Sequence, residues 1–267
     1  MTTTLNESIA NELHSTVTNM YTLVNNELGD RYQPFLNYGY QYLNSSAPKP
    51  YLEQIDQEFH ITAQLYHFVT SPTSLIDKDI VEVGSGRGGG SYYMKKYLRA
   101  KTVVGLEYLK QSVEISQKSF ELEGLSFING DAEALPLDDA SKDIIVNIES
   151  SHAYPNIDNF FTESCRVLKV GGYFCYADLT TPERRMEIES KLDSLPMKRI
   201  ITEDITQNVI ESLVLENPRK IALIRSMALN DVREAWWLNE WACMGTNTWN
   251  ELNERKLVYS CYALVKY

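Results

Sequence analysis

The hydrophobic pattern changes character twice along the chain. Over residues 1 to about 30, Leu13, Val17, Met20 and Val24 recur at helical spacing with Leu23 beside them, and predict a helix. Tyr32 to Tyr42 then concentrates aromatics: Tyr32, Phe35, Tyr38, Tyr40 and Tyr42. Ser45 to Pro50 is a turn-rich break, and a second helix is expected from about Tyr51 to Val69. From Asp79 onward, short apolar runs alternate with helical stretches. Strands are predicted at Asp79–Gly84, Thr102–Glu107, Ser126–Asn129, Lys142–Ile148 and Tyr173–Asp178. Helices are predicted near Gly90–Arg99, Leu109–Glu123 and Ile157–Leu168, the last ending at Gly171-Gly172 as its C-cap. Such alternation points to a parallel sheet with helical crossovers. The last third reads as mostly helical, with two or three segments between about Glu203 and Cys243 and a cluster of Trp236, Trp237 and Trp241. Leu257 to Tyr267 returns to strand character, and with no helix after it this strand is expected to join the sheet antiparallel.

This order predicts one Rossmann-like α/β domain over 1–267. A helical cap occupies 1–70, a ligand-binding core 75–180, a helical lid 181–256, and a final strand 257–267. The chain has 267 residues, 43% hydrophobic and 23% charged, as in an ordinary globular protein with a sizeable core. A net charge of −11 argues against a broad phosphate-backbone footprint, so no nucleic-acid partner is expected. No run approaches the roughly 18 apolar residues that span a bilayer. The N-terminus lacks both the basic and the apolar regions of a signal peptide. Cys165, Cys175, Cys243 and Cys261 show no CxxC spacing and read as reduced thiols. A cytoplasmic location is therefore expected, and homodimerisation is left open.

The sharpest chemical feature is the run Glu82-Val-Gly84-Ser85-Gly86-Arg-Gly88-Gly89-Gly90, between a strand and a helix. Glycines there allow a tight turn and let a ligand approach the backbone, while free N–H groups at the helix start bind a polar group. Gly84, Gly86 and Gly89 also fit the dinucleotide pattern G-x-G-x-x-G. Glu107, ending the second strand and followed by Tyr108, is placed to accept two hydrogen bonds from a ribose diol. These two motifs leave a nicotinamide dinucleotide and S-adenosylmethionine equally open.

Further motifs carry a resemblance. Gly130-Asp131-Ala132-Glu133-Ala-Leu-Pro136 follows the third strand, Asn147 closes the fourth, and Arg166-Val-Leu-Lys-Val-Gly-Gly-Tyr-Phe174 leads into the fifth. Over roughly 100 residues the chain resembles class I methyltransferases of the menaquinone/ubiquinone-biosynthesis type, with Val170 where proline is usual. The resemblance implies a mostly parallel seven-stranded sheet with an antiparallel C-terminal strand, and S-adenosylmethionine as cofactor. It also implies that Asp131 and Ala132 flank adenine and that Asn147 lies beside the cofactor. The segment Asn147-Ile-Glu-Ser-Ser-His152-Ala-Tyr154-Pro, with Phe35-Leu-Asn-Tyr-Gly39, is similar to the phthiotriol/phenolphthiotriol dimycocerosates methyltransferases. That similarity implies O-methylation of a lipid or polyketide-like hydroxyl.

The same segment resembles sugar O-methyltransferases of antibiotic pathways, in which a histidine past the fourth strand is the base and an aspartate ending the fifth assists it. The matching residues are His152 and Asp178. An alkyl hydroxyl must lose its proton as it attacks, and a histidine oriented by a carboxylate suits that step. The competing reading is a structural histidine, with Asp178 capping a helix near Thr180-Thr181-Pro182. Tyr38, Tyr154 and Trp237 are candidates for the lining of an apolar acceptor pocket, the acceptor being a small molecule. No metal-ligand cluster is recognisable, so metal-independent transfer is expected. The alternatives are a C-methyltransferase acting on an isoprenoid quinone or sterol-like ring, an inactive cofactor-binding protein and, more remotely, a nicotinamide oxidoreductase.

Overall fold

A computed structural model of the chain describes residues 2–44, 46, 47 and 49–267, with side chains from Ser15 onward. The readings that fall on Leu13, Ser45 and Pro48 lie outside the described residues or side chains. Seven strands form one sheet: β1 (Asp79–Val83), β2 (Thr102–Glu107), β3 (Leu125–Asn129), β4 (Lys142–Ile148), β5 (Leu168–Thr180), β6 (Met197–Asp204) and β7 (Val258–Lys266). Their order is β3-β2-β1-β4-β5-β7-β6. The first five strands pair in parallel, and β7 runs antiparallel between β5 and β6.

The inner strands are rich in apolar residues because both sheet faces are covered. Side chains alternate between the faces. Ile80, Ile144 and Val146 join one core with Leu65 and Val69 of α2 (His60–Thr70) and Tyr93 of α3 (Gly89–Lys96). Val81, Val83 and Ile145 join the other, against Phe160 and Phe161 of α5 (Ile157–Val167) and Leu192 of α6 (Pro182–Ser194). The helix α4 (Lys110–Ser119) crosses between β2 and β3. A third cluster is separate from the sheet. Val24 and Leu28 of α1 (Thr2–Leu28) pack with Ile224 of α7 (Thr206–Ser226) and with Trp237 of α8 (Asp231–Glu240), next to Trp241. A short helix, α9 (Asn247–Asn253), precedes β7.

Several expectations need correction. The helical stretch expected from Tyr51 begins as a 3-10 turn, Gln54–Phe59, before α2. Gly171-Gly172 is not a helix C-cap, since α5 stops at Val167 and β5 starts at Leu168. Lys142 pairs with Leu168 and Ile144 with Tyr173, so residues 169–172 bulge out of the ladder and the glycines sit in that bulge. The lid expected to be helical over 181–256 contains the edge strand β6. Asp178 does not cap α6: Thr181 does, accepting a hydrogen bond from the Arg184 N–H at 3.3 Å, with Pro182 at the first helical position.

Candidate active site

Residues beyond the C-terminal ends of β1, β2 and β4 meet α1 and α8 around a cavity of about 390 Å³. Open α/β sheets collect ligands at this edge, because the strand-end loops there project past the layer of crossover helices. Val17, Met20, Tyr21 and Val24 of α1 form part of the wall, and Trp236, Trp237 and Glu240 of α8 form another part.

The glycine loop enters from β1. Gly84 and Gly86 have φ of 76° and 52°, which L side chains rarely adopt. A Cβ on Gly84 would lie 2.0 Å from Ser150 Oγ, so that glycine is fixed by packing as well as by backbone conformation. At Gly86 the nearest atom to such a Cβ would be Leu36 Cδ1, at 4.0 Å. The backbone is therefore bare where it borders the cavity. Glu107 holds this turn, its Oε2 accepting from the Gly86 N–H and its Oε1 from the Leu109 N–H, each at 2.9 Å. Burial raises its pKa above the ordinary carboxylate value, and hydrogen bonds from the Leu109, Gly86 and Tyr108 N–H groups oppose the rise. Each oxygen keeps a further acceptor site, enough for two vicinal hydroxyls. Ser85, Tyr108, Asp131 and Ala132 complete this side of the cavity. Bare backbone, a diol-accepting carboxylate and the Asp131-Ala132 turn are donors and acceptors that an adenosine with an attached amino-acid chain can use.

Three predicted cofactor contacts do not line the cavity. Glu82 is buried behind the loop, its carboxylate accepting from Tyr66 OH at 2.6 Å and Ser91 Oγ at 2.5 Å, and burial pushes its pKa up to about 7 against those bonds. It braces the loop against α2 and α3. Gly88 faces Phe127 and Ser116 instead. Asn147 is fully buried, its Nδ2 within 2.8 Å of Val83 O, 2.9 Å of Ser150 Oγ and 3.0 Å of Tyr154 OH, so it ties the ends of β1 and β4 together.

His152 and Asp178 do meet. After β4 the chain enters a 3-10 turn, Ser151–Ala153, that carries His152 to the cavity wall, where its side chain is 36% exposed. His152 Nδ1 lies 2.7 Å from Asp178 Oδ1, and the His152 N–H donates to Oδ2 at 2.9 Å. Asp178 is buried and further fixed by Ser151 Oγ at 2.6 Å and the Leu179 N–H at 2.8 Å. Desolvation lowers the pKa of His152. The charge and hydrogen bond of Asp178, with the charges of Glu149 and Glu240, outweigh it and leave a net rise above the usual imidazole value. Nε2 makes no hydrogen bond to a described residue.

Tyr38, Tyr154 and Trp237 line the same cavity. Tyr38 OH donates to Glu240 O at 2.8 Å, Tyr154 OH lies 2.5 Å from Ser150 Oγ, and Trp237 Nε1 donates to Glu27 Oε2 at 2.6 Å. Trp237 thus serves both as wall and as the tie between α8 and α1. The sequence reading missed Arg87, Glu149 and Glu240. Arg87 spans from the glycine loop to Asn25 Oδ1 at 3.1 Å and Arg31 O at 3.0 Å, pinning α1 across the cavity. An arginine inside a glycine run was the one available signal for it.

The fold is of the Rossmann-like class, and the cavity lies where such sheets bind a nucleoside cofactor. Residues 81–176 match the methyltransferase-domain family model. A fatty-acid O-methyltransferase of Mycolicibacterium smegmatis is 30% identical over 263 residues, covering 98% of this chain and 93% of the relative. A phthiotriol/phenolphthiotriol dimycocerosates methyltransferase of Mycobacterium tuberculosis is 34% identical over 194 residues, covering 72% and 71%. Among solved structures, the [4+2]-cyclase SpnF superposes with a TM-score of 0.74 over 94% of both chains at 18% identity, a likeness of fold alone. The chain belongs to the methyltransferase family of these curated relatives, and its cofactor is S-adenosylmethionine. Among the described residues no helix is long and apolar enough to cross a membrane.

Proposed function

We propose that the protein is an O-methyltransferase that methylates a hydroxyl of an apolar, lipid-like or polyketide-like small molecule, with His152 as the general base. The observation that carries this reading is the His152–Asp178 contact of 2.7 Å at the wall of the cavity that the glycine loop also borders. The bound cofactor supplies an electrophilic methyl group on a sulfonium. Glu107 holds the ribose hydroxyls, Gly84, Ser85 and Gly86 accommodate the amino-acid part against bare backbone, and Asp131 and Ala132 flank the adenine. Asp178 keeps the His152 Nδ1 proton in place, so that Nε2 is the atom free to take the hydroxyl proton. Once His152 is protonated, the same carboxylate stabilises the imidazolium. Tyr38, Tyr154 and the tryptophans of α8 give the acceptor an apolar wall and shield the transfer from water. Both curated relatives are named as lipid-related methyltransferases, which supports the acceptor class.

The test is His152→Ala. Turnover on a hydroxylated acceptor is expected to fall about 100-fold or more. Binding of S-adenosylhomocysteine, followed by calorimetry, should stay within about threefold, since His152 does not hold the cofactor in this reading. Unchanged turnover, or labelled methyl recovered on carbon, would remove the assignment.

A further inference from the structure

Glu149 has no part in the chemistry above, yet its placement is costly and specific. It follows β4 directly and takes φ of 49°, a left-handed conformation that disfavours glutamate by roughly 1–2 kcal/mol. Glycine would meet that turn with no such penalty. Glu149 lines the cavity. Both of its hydrogen bonds fall on one oxygen: the Tyr38 N–H donates to Oε1 at 2.8 Å and Tyr259 OH donates to Oε1 at 2.9 Å. Oε2 has no partner among the described residues. Tyr38 is itself fixed, since its carbonyl accepts from Ser212 Oγ at 2.8 Å and Lys220 Nζ lies 5.3 Å from its ring centroid.

Glu149 and His152 are three positions apart in the chain, so their Cα atoms are within about 11 Å of each other. Both face the cavity, and a small molecule bound there can touch both. Burial, opposed by the bonds from Tyr38 and Tyr259, pushes the Glu149 pKa up to about 7, so near neutrality Oε2 is able either to accept or to donate. The remaining charges sharpen the picture. Asp178 and Glu240 are acidic, and the one arginine or lysine among the described cavity-lining residues, Arg87, is already bonded to Asn25 and to the carbonyls of Gly29 and Arg31. Among the described cavity-lining residues no lysine or arginine is left over to receive a carboxylate acceptor, and His152 must be neutral to act as the base.

We propose that Glu149 selects the acceptor: its unpaired Oε2 hydrogen-bonds a second hydroxyl whose oxygen lies three or four bonds from the oxygen that is methylated. The preferred acceptor is then an apolar chain bearing a diol, and a long-chain carboxylate is disfavoured. This rests on the reading of His152 as base and of the cavity as the acceptor site. The assay offers wild-type protein and S-adenosylmethionine a sixteen-carbon vicinal diol, the matching primary alcohol and the matching fatty acid. Wild type should favour the diol over the alcohol by about tenfold in kcat/KM, the size of one charge-assisted hydrogen bond, and favour the alcohol over the acid. Glu149→Ala should bring the diol-to-alcohol ratio to about 1, and Glu149→Gln, which preserves the side-chain shape, should restore part of it. A wild-type preference for the acid or the mono-alcohol, or a diol preference that survives in Glu149→Ala, would overturn the proposal. A second readout does not depend on turnover. Adding the diol to the S-adenosylhomocysteine complex should shift a carboxyl band in the infrared difference spectrum that Glu149→Gln lacks. If none of the three probes is methylated while that band shifts, the hydroxyl-transfer reading fails and the recognition role stands; no shift sinks the recognition role itself.

Discussion

At His152 two opposed influences set the acid–base behaviour. Enclosure by protein disfavours the imidazolium, and the charge and hydrogen bond of Asp178, with the charges of Glu149 and Glu240, together favour it more strongly, with a net upward shift. A base must be neutral to act, so kcat/KM is expected to rise with pH through an acid limb lying above the ordinary imidazole value. In Asp178→Asn the carboxylate's charge is gone, so that limb should move to lower pH. The plateau rate should also fall, about 10-fold or more, because the tautomer is no longer enforced. A pH–rate profile of the two proteins checks both parts; an unmoved limb would mean that another group titrates. The His152–Asp178 pair was readable in the sequence because each residue lies just past a strand end, where α/β sheets assemble their sites. Glu149 was not, because nothing about a glutamate announces a left-handed backbone. The bonds of Arg87 reach residues 56 to 62 positions away, beyond any local pattern.

Among the elements, the turn from β1 into α3 carries the most constraint. In Gly84→Ala the new methyl would meet Ser150 Oγ and Tyr154 OH while the backbone holds a φ unfavourable to alanine. The expected cost is about 2 kcal/mol or more in urea unfolding, with S-adenosylhomocysteine affinity down at least about tenfold. Native-like stability and affinity in that variant would show that the loop can shift aside. The strands flanking this turn were legible because β1 and β4 are covered on both faces and carry short apolar runs, Ile80-Val81 with Val83 and Ile144 to Val146. The strand β6 was not. It lies at the sheet edge, only Met197 is fully buried, and Lys198, Arg199, Glu203 and Asp204 give it the look of a surface segment. α6 falls within the stretch read as a helical lid, and its buried residues Ile188 and Leu192 stand one helical turn apart. The bulge at Gly171-Gly172 mimics a helix cap in sequence, and only the ladder register tells the two apart.

Over the whole molecule, buried acids shape the response to pH. Glu82 and Glu149 both have folded-state pKa values raised from 4.5 to about 7. A raised carboxylate pKa means that the folded state holds the proton more tightly. The resulting stability is fully present below about pH 4.5 and is lost as pH rises through about 7. His152, also raised, acts in the same direction. Melting temperature is therefore expected to be higher at about pH 6 than at about pH 7.5, and in Glu82→Gln that difference should shrink, because the amide never ionises. A wild-type melting temperature independent of pH over this interval would contradict the assignment. The sheet has one more consequence, for synthesis. β7 lies between β5 and β6 and pairs with both, yet it follows them in the chain by 78 and 54 residues, counted from Thr180 and Asp204 to Val258. A ribosome translating this message exposes two unpaired strand edges throughout that interval, and neither can close until Val258–Lys266 has left the exit tunnel. Until then those edges leave the nascent chain open to aggregation and to chaperone capture, although strands β1 to β6 have all been made.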